Sequence, residues 1–183
     1  MSKPVPAMLI IAAFLLTIPA ANWMIGHIGT VCVANGPCLV PVAPGIMAPS
    51  GVLMVGAALV LRDLVQRRLG VEFGLGAIAA GAAISAGLAP PSLVLASATA
   101  FFLSEFVDFA VYTPLARRRL LAAVVASSIA GLIVDSIVFL WLAFGSLEFL
   151  LGQIVGKLWM VLLAAPFVAY LRRRDDRLGL KAA

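Results

Sequence analysis

The chain alternates between six long apolar stretches and short segments that carry turn residues or positive charge. Between Lys3 and Arg62 it contains no Asp, Glu, Lys or Arg. Each stretch is close to the roughly 20 apolar residues that a helix needs to cross a bilayer. The runs are continuous rather than alternating in polarity, which favours helices over a membrane β-barrel. The pattern therefore predicts six transmembrane helices, at about 6–28, 47–68, 72–88, 92–115, 119–143 and 148–171.

Short turns separate the predicted helices. The longest connection, at 29–46, contains Asn35-Gly36-Pro37, and shorter turns lie at 89–91 and 145–147. Gly, Pro and Asn clusters of this kind mark turns and loops. Because none of these loops is long enough for a separate soluble unit, we expect residues 1–183 to fold as a single all-α transmembrane domain.

Positive charge is confined to one set of helix ends. Six spans place eleven Lys and Arg residues on the side of the two termini, and none in the opposite loops at 29–46, 89–91 and 145–147. Cytoplasmic loops carry such an excess of Lys and Arg, so we expect both termini to be cytoplasmic, in a bacterial inner membrane. The eleven residues are Lys3, Arg67, Arg68, Arg117, Arg118, Arg119, Arg172, Arg173, Arg174, Arg177 and Lys181.

Composition agrees with an integral membrane protein. Hydrophobic residues make up 63% of the chain, charged residues make up 11%, and the mean hydropathy is +1.14. Soluble domains carry roughly 25% charged residues, so the deficit of charge excludes a soluble protein. The formal charge of +5 comes from helix ends, where it sets topology. We therefore expect the lipid bilayer, and no nucleic acid, among the partners.

Six ionisable residues fall inside the predicted helices. A charge at the bilayer centre costs at least about 2.5–3.5 kcal/mol on insertion scales, so such residues face the bundle interior, tend to pair and mark functional sites. We expect Asp135 to form an ion pair with Lys157, and Arg62 to pair with a carboxylate. The alternative is that these pairs only fix helix packing. The six residues are Arg62, Asp63, Glu105, Asp108, Asp135 and Lys157.

Spacing places polar residues on shared helix faces. Glu105, Asp108 and Tyr112 are three and four residues apart, so they lie on one face of the fourth helix. Gln153 and Lys157 are four residues apart and share a face of the sixth helix. Two carboxylates as close as Glu105 and Asp108 need a partner or ligand that neutralises one of them in a dry site.

The first helix carries a polar residue beside an aromatic one. Asn22 and Trp23 follow Pro19 at a short distance, and broken helices in transporters expose backbone groups to substrate. The alternatives are an ordinary kink at Pro19 and, for Trp23, a position in the aromatic belt at the membrane interface.

Cysteine and glycine patterns leave further alternatives open. Cys32 and Cys38 lie in the first loop, where a bacterial exterior permits a disulfide, and two free thiols are the alternative. Gly152 and Gly156 form a GxxxG pattern that allows close helix packing. We expect this packing inside the monomer, with a homodimer contact as the alternative. With His27 as the single histidine and no Ser-His or metal-ligand spacing, we expect no metal, no cofactor and no enzyme activity.

A set of polar segments recurs in order on successive predicted helices. In this order they resemble the queuosine precursor transporter family, also called the vitamin uptake transporter family. The resemblance implies a topology similar to the six-helix substrate-binding subunits of vitamin transporters. It also implies import of 7-deazaguanines, such as 7-cyano-7-deazaguanine or its aminomethyl relative, for tRNA modification salvage. Some members carry Gln at the position of Glu105. The segments are Asn22-Trp23, Arg62 to Arg67 (RDLVQR), Ser104 to Tyr112 (SEFVDFAVY), Ser128 to Ser136 (SIAGLIVDS) and Lys157.

A guanine-like base suits these residues chemically. Its N1–H and exocyclic amine can donate to a carboxylate, its carbonyl or nitrile can accept from Lys157 or Asn22, and its flat ring can stack on Trp23 or Tyr112. The alternatives are another vitamin-like or cationic solute, and a membrane subunit that binds solute for an energising partner. Proton coupling and facilitated diffusion both stay open. The predicted substrate-binding residues are Asn22, Trp23, Asp63, Glu105, Asp108, Tyr112, Asp135, Gln153 and Lys157.

Overall fold

The computed structural model describes residues 7–34, 36–116 and 120–177. Over these ranges the chain is mostly helical, with six helices and one small sheet. Most helix ends lie within three residues of the predicted bounds. The exceptions are the start of the second helix, which is Val52 rather than 47, and the end of the sixth, which is Arg177 rather than 171. The helices are α1 (Ala7–His27), α2 (Val52–Leu69), α3 (Val71–Ser85), α4 (Pro91–Ala116), α5 (Leu120–Phe144) and α6 (Leu150–Arg177).

Three helices are long and apolar enough to cross a membrane. These are the segments Ala7–His27, Pro91–Tyr112 and Ala126–Phe144, and the remaining helices contain shorter apolar segments of 10–17 residues. Their outward faces carry large apolar side chains, among them Leu16 on α1 and Phe106 on α4, which are 66% and 72% exposed. Lipid is the solvent in which such faces are stable. The membrane character is confirmed, whereas the count of six spans and their orientation stay predictions.

The first connection is not the plain loop that the sequence predicts. It forms a three-stranded antiparallel sheet of β1 (Val31–Cys32), β2 (Cys38–Ala43) and β3 (Ile46–Pro49), in the order β1-β2-β3. Gly45 has φ 72° in the turn between β2 and β3, a conformation that glycine adopts at little cost. The prolines of this segment weaken any strand signal in the sequence, and the predicted start of α2 at 47 was wrong because β3 occupies those residues.

A disulfide closes the short sheet. Cys32 and Cys38 are bonded and lie opposite each other in the register of β1 and β2. Of the two alternatives left open by the sequence, the structure therefore contains the disulfide.

The sheet packs against α6 through two glycines. A side chain at Gly152 would overlap the backbone carbonyl of Met47, and one at Gly156 would press on the side chain of Val52. The indole N–H of Trp159 donates to the carbonyl oxygen of Val42 at 3.0 Å. The GxxxG pattern therefore serves packing inside the monomer, which confirms the preferred interpretation of the sequence.

Two apolar clusters hold the helices together. One surrounds Phe14 where α1 meets α2 and α3, and the other surrounds Leu140 where α5 meets α4. Both side chains are completely buried. The helix α6 contacts α2 and α5, so polar residues of all these helices can meet in the interior.

Candidate functional site

A cavity lies in the part of the bundle next to the sheet, and all six helices line it. The cavity together with the open space at its mouth comprises about 620 Å³ that protein atoms do not fill. We call it the hairpin-side cavity, because the first turns of α6 that line it also contact the β2–β3 hairpin. Its walls are mostly apolar and include the rings of Phe101 and Phe139. Its polar lining residues are Thr17, Asn22, Ser97, Asp135, Gln153 and Lys157.

A buried ion pair forms one wall of this cavity. The Lys157 ammonium donates to a carboxylate oxygen of Asp135 and, at 2.8 Å, to the hydroxyl oxygen of Ser136. Lys157 is 1% exposed and Asp135 is 7% exposed. Charges taken this far from water are stable only when paired and hydrogen-bonded. The ion pair that the sequence predicts is confirmed.

Two buried amide groups face the cavity with atoms that have no partner. Asn22 accepts a hydrogen bond from Ser97 at 2.9 Å through Oδ1, but its Nδ2 has no partner among the described residues. Gln153 Oε1 also lacks a donor within the described part of the chain. Both residues are only 2% exposed. Each unsatisfied buried group costs about 1–3 kcal/mol, so a solute that gives an acceptor to Asn22 Nδ2 and a donor to Gln153 Oε1 would be stabilised in this cavity.

One polar atom of the Asn22 side chain lacks a hydrogen-bond partner in either orientation of its amide group. The Ser97 hydroxyl can donate to the amide oxygen or accept from the amide nitrogen. Turning the amide over therefore exchanges which of its two atoms lacks a partner, and one atom stays unsatisfied in either orientation.

A second cavity, here called the Arg62 cavity, contains about 710 Å³ of unfilled space between α2, α4, α5 and α6. Arg62 forms an ion pair with Glu105, and its guanidinium carbon lies 6.0 Å from the centre of the Phe101 ring. The side chains of Arg62 and Glu105 are 16% and 26% exposed. Asp108 lines the same cavity and lies against Gly131, with no ion pair or hydrogen bond to another described residue.

The two cavities follow one another along the same helices. On α5, Asp135 lines the hairpin-side cavity, and Leu132, one turn before it, lines the Arg62 cavity. On α6, Lys157 lines the hairpin-side cavity, and Val161, one turn after it, lines the Arg62 cavity. Phe101 lines the first cavity and faces the guanidinium of the second. Among the described residues, the bundle therefore contains two cavities with polar groups in their walls, about one helical turn apart.

The structure divides the predicted site residues into groups. Asn22, Asp135, Gln153 and Lys157 line the hairpin-side cavity together. Glu105 and Asp108 line the Arg62 cavity instead. They lie one and two helical turns beyond Phe101 on α4, and Phe101 lies between the two cavities. The sequence placed all of these residues in a single site.

Of the three remaining predicted residues, Trp23 and Tyr112 line neither cavity. Trp23 is 43% exposed and stacks on His27, with ring centres 4.8 Å apart and planes at 9°. Its position agrees with the alternative of an interfacial aromatic residue. Tyr112 is partly buried, and the side chain of Asp63 lies outside the described residues.

Sequence reasoning missed several residues that complete the site. Ser97 holds the Asn22 amide and Ser136 takes part in the lysine's hydrogen bonding, while Phe101 and Phe139 supply flat apolar walls. The adjacency of Ser136 to Asp135 in an apolar helix was an available signal. Ser97 offered none, because its contact needs α1 and α4 to be placed side by side.

Comparison with known families agrees with the sequence resemblance. Residues 83–171, just under half of the chain, match a family model described as "Putative vitamin uptake transporter". The match runs from the end of α3 to α6 and includes Glu105, Asp108, Asp135 and Lys157. No curated protein and no solved structure matched the chain. The match over residues 83–171 therefore supports a relationship of this part of the chain to the vitamin uptake transporter family.

Proposed function

We propose that this protein imports a small planar polar solute across the bacterial cytoplasmic membrane. In this proposal all six helices span the bilayer as one domain, with both termini in the cytoplasm. The family match supports transport. The presence of eleven Lys and Arg residues at one set of helix ends and none in the opposite loops supports the orientation.

The observation that carries the proposal is the hairpin-side cavity with its two orphaned amides. Small-molecule sites are mostly apolar with a few directed polar groups, and the lining of this cavity, in which Asn22 and Gln153 stand among mostly apolar walls, has that character. Unsatisfied buried amides are costly unless something binds to them. A solute-binding role explains why Asn22 and Gln153 are retained in an otherwise apolar interior.

The substrate that we propose is a 7-deazaguanine, either 7-cyano-7-deazaguanine or its aminomethyl form. The resemblance of the polar segments motivates this choice. In the hairpin-side cavity a carbonyl or nitrile of the base would accept from Asn22 Nδ2, and a ring N–H would donate to Gln153 Oε1. The ring would lie against Phe101 or Phe139, because aromatic faces favour such stacking.

Glu105 and Asp108 keep a role on the path of the solute in this proposal. They lie one turn beyond the hairpin-side cavity, towards the arginine-bearing ends of the helices. A solute that leaves the first cavity in that direction would meet them next. Asp108, a carboxylate with no ion-pair partner among the described residues, also favours a second candidate function, the transport of a cationic solute.

Binding and uptake by the purified chain test the proposal. We expect a deazaguanine to bind by calorimetry and to accumulate in liposomes that contain only this protein. Binding without uptake would instead identify a solute-binding subunit that needs an energising partner. If guanine and common vitamins bind and deazaguanines do not, the proposed substrate is wrong.

Cysteine labelling tests the orientation separately. Once the disulfide is reduced, a membrane-impermeant thiol reagent added outside spheroplasts should label Cys32 and Cys38. A Cys32→Ser/Cys38→Ser variant controls for background labelling. Labelling that requires access from the cytoplasm would exclude the proposed orientation.

A further inference from the structure

The charged side chains that line the hairpin-side cavity are paired with each other and are not available to a ligand. Among the described residues that line it, Asp135 and Lys157 are the charged ones, and they are paired with each other. The lysine also donates to Ser136. A charged ligand entering this cavity would find no unpaired counter-ion unless it broke a pair that is more than nine-tenths buried.

We propose that the hairpin-side cavity selects solutes with no net charge and excludes cations and anions of the same shape. This inference rests on the proposed function of the cavity as the solute site, and it narrows the two proposed substrates to the uncharged one, 7-cyano-7-deazaguanine. A charged group that leaves water for a dry interior without a counter-ion loses far more free energy than a neutral polar group does. The ion pair therefore acts as a closed wall and not as a ligand-binding charge.

The groups that do remain available are neutral. Asn22 Nδ2 is a donor and Gln153 Oε1 is an acceptor, and both lack partners within the described chain. An uncharged heterocycle with an acceptor and a donor on its rim satisfies both of them. The available donor and acceptor indicate the chemical class of the solute, which is a flat, neutral, hydrogen-bonding ring that fits between Phe101 and Phe139.

The two deazaguanines named above form a matched pair for this test. The nitrile form is uncharged, whereas the aminomethyl form carries a primary amine that, like that of lysine, is protonated at neutral pH. The rings are otherwise alike. We expect the wild-type protein to bind the nitrile form at least about tenfold more tightly, a difference that corresponds to 1.4 kcal/mol.

Removing the lysine should change this preference. The variant Lys157→Gln leaves the Asp135 carboxylate without its cation, so the cavity gains a counter-ion for the aminomethyl form. We expect the ratio of the two affinities to fall by at least about tenfold. Asp135→Asn should not lower the ratio, because it leaves a cation in the wall. Glu148→Gln removes an exposed carboxylate outside the cavity and serves as the control for net charge.

The measurements are isothermal titration calorimetry with both ligands, and thermal unfolding to confirm that each variant is folded. The comparison in the wild-type protein needs no variant, so it decides the matter even if Lys157→Gln fails to fold. Equal or tighter binding of the aminomethyl form by the wild-type protein would overturn the inference.

A second ligand pair separates this inference from the proposed substrate. Nicotinamide is neutral, and nicotinate is its anionic counterpart of similar shape. If neither deazaguanine binds but nicotinamide binds more tightly than nicotinate, the substrate proposal fails and charge selection stands. If none of the uncharged ligands binds, both proposals fail.

Discussion

Each of the two cavities is lined by an ion pair, and the two ion pairs differ in how deeply they are buried. In the hairpin-side cavity, Lys157 and Asp135 are more than nine-tenths buried, and Ser136 takes part in their hydrogen bonding. In the Arg62 cavity, the ion-paired side chains of Arg62 and Glu105 are 16% and 26% exposed. The more deeply an ion pair is buried, the harder it is for either residue to exchange its partner. The pair of Lys157 and Asp135 is therefore fixed, whereas the pair of Arg62 and Glu105 can exchange partners more readily.

The difference assigns different tasks to the two spaces. A buried pair is strongly coupled and costly to break, so under the proposed function the neutral amides of Asn22 and Gln153 would recognise the solute in the hairpin-side cavity. The pair of Arg62 and Glu105 is less deeply buried, so breaking it should cost less than breaking the first pair. Under the proposed function, the Arg62 cavity, which Asp108 also lines, would make transient contacts with the solute during passage and not bind it tightly.

The largest expected effect concerns the buried pair. We expect Asp135→Asn and Lys157→Met each to reduce the free energy of unfolding by about 3–5 kcal/mol, because either change strands a buried charge. The double variant Asp135→Leu/Lys157→Met should recover most of the loss. Thermal unfolding in detergent measures all three. Equal behaviour of the singles and the double would mean that the two residues are not coupled.

A smaller effect is expected at Gln153, where one substitution should raise the stability of the protein and lower its affinity for the ligand. Gln153→Met keeps the side-chain length and removes an acceptor that has no donor in the described structure. The free energy of unfolding of the ligand-free protein should therefore rise. Ligand affinity should fall by about 1–3 kcal/mol, the cost of a lost buried partner. Leu151→Met, an exposed change on the same helix, is the control. A loss of stability together with unchanged affinity would remove Gln153 from the site.

The helices could be predicted because their signal is local. Twenty-residue apolar runs and charge at their ends define α1, α4 and α5 without any knowledge of packing. The ion pair of Asp135 and Lys157 could also be predicted, since each is the single charged residue well inside its helix.

Non-local features could not be predicted in the same way. The sheet at 31–49 depends on pairing across turns rich in proline, and on packing against Gly152 and Gly156. The division of the site into two cavities depends on which way each helix is rotated. Glu105 and Asp135 both lie well inside their helices in the sequence, yet the packing of α4 on α5 places them in different cavities.

A still smaller effect on stability is expected in the Arg62 cavity. Glu105→Gln should reduce the free energy of unfolding by less than Asp135→Asn does, because the ion pair of Glu105 is less deeply buried. Asp108→Asn should leave the affinity for an uncharged ligand close to that of the wild type but slow its uptake into liposomes. A tenfold fall in affinity for Asp108→Asn would instead move base recognition into the Arg62 cavity.

The smallest effect is expected at Trp23, and it tests whether the cavity or the adjacent aromatic residue binds the solute. The sequence suggests that a flat base stacks on this indole, which is next to Asn22 in the chain. On a helix, however, adjacent residues point about 100° apart, so Asn22 faces the cavity while Trp23 stacks on His27 at the surface. Trp23→Leu keeps an apolar side chain for the membrane interface and removes the ring. We expect ligand affinity to stay at the wild-type value, with Asn22→Leu as the contrasting variant that loses binding. A tenfold loss in Trp23→Leu with Asn22→Leu unaffected would mean that the solute binds at the rim and not in the hairpin-side cavity.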